Sequence, residues 1–391
     1  MPDDFAEAAV EQIQEIAIEI EEEDFFFEKM DETGSGDDGG GEDYSANEDI
    51  TEDEREDFQE ISDQFDSGDP AYYAWLGEVS CKTTPPDGAV LAAPFPAYGM
   101  GACPEISPGM NGIDSKGNKR QFMVVAPSDL KPEENLPVLF MWYWLKADAG
   151  DFFEKGEVQK AVDLQRFVAV IPESKWDLDL FGLVDIPWPF MSFTPKSRFE
   201  EEHAFFDDML ACVSQKYNID KECVSAVGVS AGALYVVLLA GARSGHLSSF
   251  MSLSGGTKDD GIVTSIISPF IVPSHKLPAL VLWGGPYDSC VMLNFQDASI
   301  ALEDKLIAGG HFFVECIHNC KHGEPPVVAP EGQSKYAAIW DFAFPHPFWL
   351  KPGESPFTVT GLPESTPEWC AIGKGNAIPR VGECPEPGCP L

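Results

Sequence analysis

Basic residues are scarce in this chain: 25 Lys and Arg stand against 66 Asp and Glu, a formal net charge of −41 over 391 residues. That balance excludes nucleic acid or an anionic membrane as a partner, since both are held by clustered cations. Long apolar runs are also missing, and none reaches the length of a transmembrane helix. The N-terminus lacks a basic segment followed by an apolar core, the pattern of a secretory leader. Histidine is rare as well, with seven residues, which leaves few candidates for a general base.

The negative charge is concentrated. Residues 1–70 carry 28 of the acidic residues against only Lys29 and Arg55, so 26 of the 41 net charges lie there. An acidic arm is expected over residues 1–75. Its first part, Phe5 to Met30, has the spacing of an amphipathic helix with Phe5, Ile13, Ile16 and Ile20 on one face, and Asp31 to Asn47 is rich in Gly, Asp and Ser and reads as disordered. A solvating tether is the simplest role, with adaptation to salt or masking by a cationic partner as alternatives. The arm's partner stays unassigned.

What the chain does contain is Gly228-Val229-Ser230-Ala231-Gly232, a Gly-x-Ser-x-Gly between a strand-like and a helix-like run. Upstream, Cys223 to Val227 is short, apolar and β-branched, as a buried parallel strand should be. Downstream, Ala231 to Arg243 is long and rich in Ala and Leu, as a buried helix should be. The glycines allow a sharp turn that exposes the Ser230 hydroxyl above the sheet, so Ser230 is the candidate nucleophile.

A serine nucleophile needs a base and a carboxylate to orient it, and in a sheet of this kind they follow in the order Ser, Asp or Glu, His. Leu277 to Trp283 reads as a buried strand, and Asp288 lies in the loop at its carboxyl end, where such sheets place catalytic groups. Phe295 to Ala308 reads as an amphipathic helix stopped by Gly309-Gly310. His311 to Ile317 is the next strand, and both His318 and His322 leave it in a loop. His322 is favoured as the base, because it lies farther past the strand and precedes Gly323 and Pro325, whereas His318 suits packing at the strand end. Taken together, these runs predict an α/β fold: a mostly parallel central sheet with helices on both faces, in one catalytic domain over residues 76–350.

Ten cysteines are an even number, and the spacings Cys212/Cys223, Cys316/Cys320 and Cys370 with Cys384 or Cys389 suit closed loops, although connectivity stays open. An oxidising, secreted or extracytoplasmic location is expected. Cys316, His318, Cys320 and His322 fall on one side of an extended strand, as zinc ligands would, but ligands spaced by two along one strand converge poorly on a tetrahedral ion. Neither a metal nor a cofactor is expected. Residues 351–391, rich in Pro, Gly and Cys and without a strand or helix period, read as a disulfide-pinned strap.

Between about Cys103 and Leu350 the chain resembles secreted serine esterases of the polyhydroxybutyrate depolymerase and feruloyl or acetyl-xylan esterase type, within the α/β-hydrolase fold. The residues that carry the resemblance are Cys103-Pro104 through Pro108-Gly109-Met110-Asn111, Arg120 to Pro127, Leu136 to Trp144, Ile171 to Lys175, Phe205 to Leu210, the Ser230 pentapeptide, His322 to Pro326 and Ala337 to Phe342. It implies acyl transfer from an ester to Ser230, with His322 as the base, Asp288 orienting it, and the oxyanion held by the N–H of Ala231 and one from the loop after the strand Leu136 to Trp144. The relatives usually carry His-Gly in that loop. This chain has Tyr143 and Trp144 instead, so the second donor falls to Leu145 or Trp144, or the loop supplies an aromatic wall. Tyr143, Trp188 and Trp283 are the aromatic candidates for substrate contact, and the aromatic stretch Trp176 to Phe193 reads as a lid or rim. The ester would be a polyester or a polysaccharide ester. A serine peptidase on the same fold and a noncatalytic binding protein are the alternatives.

Overall fold

A computed structural model of the chain describes residues 70–391 apart from 181, 183, 259–265, 292, 385–388, 390 and 391. The expected arm helix and the Gly/Asp/Ser-rich stretch lie outside the described residues. Residues 73–391 form one unit, in which the strap belongs with the sheet.

Apolar runs make the central strands, and a Gly-containing turn joins the first pair. β1 (Gly109–Ser115) and β2 (Asn118–Val125) are an antiparallel hairpin across Lys116 and Gly117, both at positive φ, the conformation that matches strand twist in a two-residue turn. β3 (Leu136–Trp142) and β4 (Val168–Pro172) follow, then a small hairpin of β5 (Leu178–Leu180) and β6 (Val184–Ile186). β7 (Ile219–Val229), β8 (Ser249–Leu253) and β9 (Ala279–Trp283) continue the sheet. A two-residue pair, β10 (Ser289–Cys290) with β11 (Leu293–Asn294), precedes β12 (Phe313–Ile317) and β13 (Cys370–Ile372).

The main sheet has nine strands in the order β1-β2-β4-β3-β7-β8-β9-β12-β13. It is parallel from β4 through β12, and β1, β2 and β13 run antiparallel at its edges. Every residue of β4, β8 and β9 is buried, the signature of strands covered on both faces. The helices that cover the sheet include Lys196–Lys216, Ala231–Ala242 and Phe295–Gly309. The last is capped as its sequence suggests: the Asn294 side chain accepts from the Asp297 N–H, and Gly310 leaves in the left-handed conformation.

All ten cysteines are paired, in the bridges Cys81–Cys223, Cys103–Cys212, Cys290–Cys389, Cys316–Cys370 and Cys320–Cys384. None of the short-range pairings expected from spacing forms, and Cys370 joins neither Cys384 nor Cys389. Cys316 lies within β12, where Cys370 is directly opposite it in the β12–β13 register at a Cα–Cα distance of 4.0 Å, and Cys320, past the strand end, pairs with Cys384 instead. With both sulfurs oxidised, Cys316 and Cys320 cannot serve as zinc thiolates. The strap also differs from a structureless tail: Phe357–Thr360 is a helical turn and β13 extends the sheet, held there by its disulfide.

Candidate active site

Ser230 joins β7 to the helix Ala231–Ala242 with φ 55° and ψ −121°, a conformation that costs a non-glycine residue strain. The turn is that tight because its flanks touch. A Cβ on Gly228 would lie 2.2 Å from the Gly232 carbonyl oxygen, and one on Gly232 would lie 2.3 Å from that of Trp142. The Ser230 N–H donates to the Leu253 carbonyl at 2.9 Å, so β8 anchors the turn from the other side.

Around that serine the structure brings together the three residues expected from chain order. His322 Nε2 lies 2.8 Å from Ser230 Oγ, and His322 Nδ1 lies 2.6 Å from Asp288 Oδ1. Asp288 is fully buried, yet its second oxygen accepts from the Ser254 hydroxyl at 2.8 Å and from the Gly284 N–H at 2.7 Å. Those donors satisfy a carboxylate that would otherwise be costly to bury. Phe295 stacks on the His322 ring with centroids 4.1 Å apart, and its N–H donates to the Asp288 carbonyl at 2.8 Å, so one residue supports both groups. The two loops also touch directly through the Lys321 N–H and the Gly284 carbonyl, 3.0 Å apart.

His318 does not reach the serine. It is buried, its Nδ1 accepts from the Cys320 N–H at 3.1 Å, and its ring meets Trp369 edge-on. Burial pushes its pKa down to about 4, which keeps it neutral.

A cavity of about 210 Å³ opens beside Ser230 and His322, with Trp144, Leu145, Phe152 and Trp340 among its walls. Ala231 is the first residue of its helix; Ser230 offers no side-chain cap to that turn, whose Ala233 N–H donates instead to the Ser230 carbonyl at 2.8 Å. Trp144 and Leu145 are half-buried and line the same cavity as Ser230. β3 ends at Trp142, two residues earlier than its apolar run suggests, and this releases residues 143–145 as a loop.

Tyr143, Trp188 and Trp283 are placed differently from the expected substrate contacts. All three are buried, and none lines the cavity. Tyr143 and Trp188 rings pack 4.8 Å apart, and the Trp188 indole N–H donates to the Tyr143 carbonyl at 2.9 Å. The Tyr143 hydroxyl donates to Glu173 at 3.1 Å and accepts from the Ser174 N–H at 2.8 Å; Glu173 also accepts from the Ala149 N–H at 3.1 Å. Burial raises the pKa of both the Tyr143 hydroxyl and Glu173. Tyr143 thus serves as an internal strut of the loop. In the aromatic stretch, Trp188 and Phe190 are buried while Trp176 and Phe193 are partly exposed.

Sequence reasoning missed Ser254, Phe295, Phe152 and Trp340 as site residues. Ser254 had a usable signal, since it follows β8 at the carboxyl end of a parallel strand. Phe152 and Trp340 had none, because both come from helices whose approach to the site is decided by packing.

Among the described residues, no His, Cys, Asp or Glu cluster has the arrangement of a metal site, and no helix is long and apolar enough to cross a membrane. No protein-family model and no curated protein matches the sequence. Solved structures do resemble it in fold. Native pOPH is 20% identical at a TM-score of 0.54, covering 70% of this chain and 97% of that chain. Native sOPH gives 20% and 0.54, covering 70% and 98%. A complex of a pOPH variant with DMSO gives 16% and 0.55, covering 71% and 96%. Strand order, the turn at Ser230 and these likenesses agree on an α/β-hydrolase fold.

Proposed function

We propose that the protein is a serine carboxylic-ester hydrolase. The observation that carries this reading is the unbroken relay from Ser230 Oγ through His322 to Asp288, at 2.8 and 2.6 Å, opening on a cavity with aromatic walls. Ser230 attacks the ester carbonyl while His322 Nε2 takes its proton, and Asp288 holds the ring and balances the imidazolium. The tetrahedral oxyanion is held by the Ala231 N–H and by one N–H of the Trp144–Leu145 loop. Collapse releases the alcohol, protonated by His322, and leaves an acyl group on Ser230 Oγ. Water, deprotonated by the same histidine, then releases the carboxylic acid.

A cavity of about 210 Å³ with apolar walls suits a short or aromatic acyl group, as in a polyester or a feruloyl or acetyl ester of a polysaccharide. Five disulfides suit an extracytoplasmic compartment.

Turnover of p-nitrophenyl butyrate with a burst of p-nitrophenol tests the reading. Ser230→Ala and His322→Ala are each expected to lower kcat by about 10⁴ or more, and His318→Phe to leave it within roughly threefold. A protein that hydrolyses none of the short-chain esters, or one that keeps its rate without Ser230, would refute it.

A further inference from the structure

Asp288 and His322 arrive on separate loops, each carrying a cysteine two positions from its relay residue. Cys290 follows Asp288, and Cys320 precedes His322. Both are bridged into one short stretch of the strap, Cys290 to Cys389 and Cys320 to Cys384. The Cys389 N–H donates to the His322 carbonyl at 3.1 Å, and both Cys290 and Cys389 contribute to the cavity wall. Upstream, the Arg380 N–H donates to the Ile317 carbonyl at 2.9 Å and its guanidinium to Asn319 Oδ1 at 2.7 Å, while Asn319 Nδ2 donates to the Gly382 carbonyl at 2.7 Å. The strap therefore grips the His322 loop from Ile317 up to the backbone of the histidine itself and is covalently tied to the Asp288 loop.

We propose that the C-terminal strap, through the Cys290–Cys389 bridge, positions the His322 loop against the Asp288 loop. It rests on the ester-hydrolase reading and adds a positioning role for residues that do not touch the reacting atoms. The physical need is plain. Loops move more than the elements they join, and a relay of two hydrogen bonds tolerates displacements of only about 0.5 Å. Phe295 supports the ring of His322 but does not join the two loop backbones covalently. The bridges Cys81–Cys223 and Cys103–Cys212 contribute nothing to the cavity wall, so a role in general stability accounts for them without a role at the site. Cys316–Cys370 likewise fastens the strap to the sheet edge away from the cavity, which makes it a matched control.

The experiment compares the full-length oxidised protein with two paired variants, Cys290→Ala with Cys389→Ala, and Cys316→Ala with Cys370→Ala. kcat and KM are measured on p-nitrophenyl butyrate, and thermal unfolding is followed by circular dichroism. Loss of the Cys290–Cys389 bridge is expected to lower kcat at least about tenfold with KM within about twofold, inside the roughly 100-fold that a 1 Å misplacement of a catalytic group can cost. Loss of Cys316–Cys370 is expected to lower the unfolding temperature and leave kcat at assay temperature within about twofold. The proposal is overturned if the Cys290–Cys389 variant keeps its kcat, or if the two variants lose kcat alike. Should the first variant not fold, Arg380→Ala removes a grip on the same loop without opening the core; a kcat loss of about threefold or more supports the proposal, and an unchanged kcat overturns it. Turnover by the unmutated protein that disappears in Ser230→Ala upholds the ester-hydrolase reading whatever the strap variants do, so the two failures are separable.

Discussion

The indole N–H of Trp188 reaches the Tyr143 carbonyl inside a fully buried cluster, and this fixes the plane of the peptide joining Tyr143 to Trp144. In a trans peptide the carbonyl and the following N–H point in opposite directions, so holding one aims the other. Trp188→Phe keeps most of the ring burial but leaves that carbonyl unsatisfied, at a cost of about 1–3 kcal/mol. We expect kcat on p-nitrophenyl butyrate to fall roughly tenfold with little change in KM, a weaker effect than deleting an oxyanion donor outright. A lower unfolding temperature with unchanged kcat would reduce Trp188 to packing. A second residue acts on stability alone. Glu303, on the helix Phe295–Gly309, is fully buried; that burial, then the charge of Glu315, pushes its pKa up to about 8 from 4.5. The folded state keeps a proton that the unfolded chain releases, so the contribution is fully present below about pH 4.5 and is lost as pH rises through about 8. Glu303→Gln mimics the protonated form. Its unfolding temperature should fall less than the parent's between pH 5 and 9, a difference on the order of 4 kcal/mol over that span; parallel curves would show that Glu303 titrates normally.

At the scale of elements, the turn that carries Ser230 depends on two glycines with no room for a methyl group. Gly232→Ala would press a Cβ against the Trp142 and Tyr143 carbonyls at 2.3 and 2.7 Å, all backbone, which cannot swing aside. Its expected outcome is loss of soluble folded protein or destabilisation beyond about 3 kcal/mol, read by denaturant unfolding; a soluble variant of near-normal stability would mean that the turn opens more readily than its contacts suggest. This turn was legible because strand, glycines and helix are local. So were β9, β12 and the helix Phe295–Gly309, whose apolar runs and Gly stop lie within single windows. The order of Ser230, Asp288 and His322 was legible for the same reason, since each sits just past a recognisable strand. What was not legible is nonlocal. β13 is only three residues long, and its pairing with β12 depends on a disulfide that reaches back 54 residues. Tyr143 looked like a substrate contact because the sequence does not reveal that Trp188 and Glu173, far along the chain, enclose it.

Over the whole molecule, two features work on different ranges. Cross-links closing separations of 54 to 142 residues confine the unfolded chain, and in the chain-entropy account each is worth about 4–5 kcal/mol. Charge reaches farther. With a net −41, of which 26 lie in residues 1–70, the protein repels anions before any contact forms. The potential extends about 30 Å at 0.01 M ionic strength and about 10 Å at 0.1 M. An ester bearing a free carboxylate should therefore meet the site more slowly at low salt than a neutral ester of similar size. Mono-p-nitrophenyl glutarate and p-nitrophenyl butyrate make that comparison with one leaving group. kcat/KM for the glutarate is expected to rise severalfold between 0.01 and 0.3 M sodium chloride, while the butyrate changes little, because the effect lies in encounter and a neutral substrate feels no such field. Equal slopes for the two esters would show that the acidic charge lies too far from the cavity, or is too well screened there, to govern what enters it.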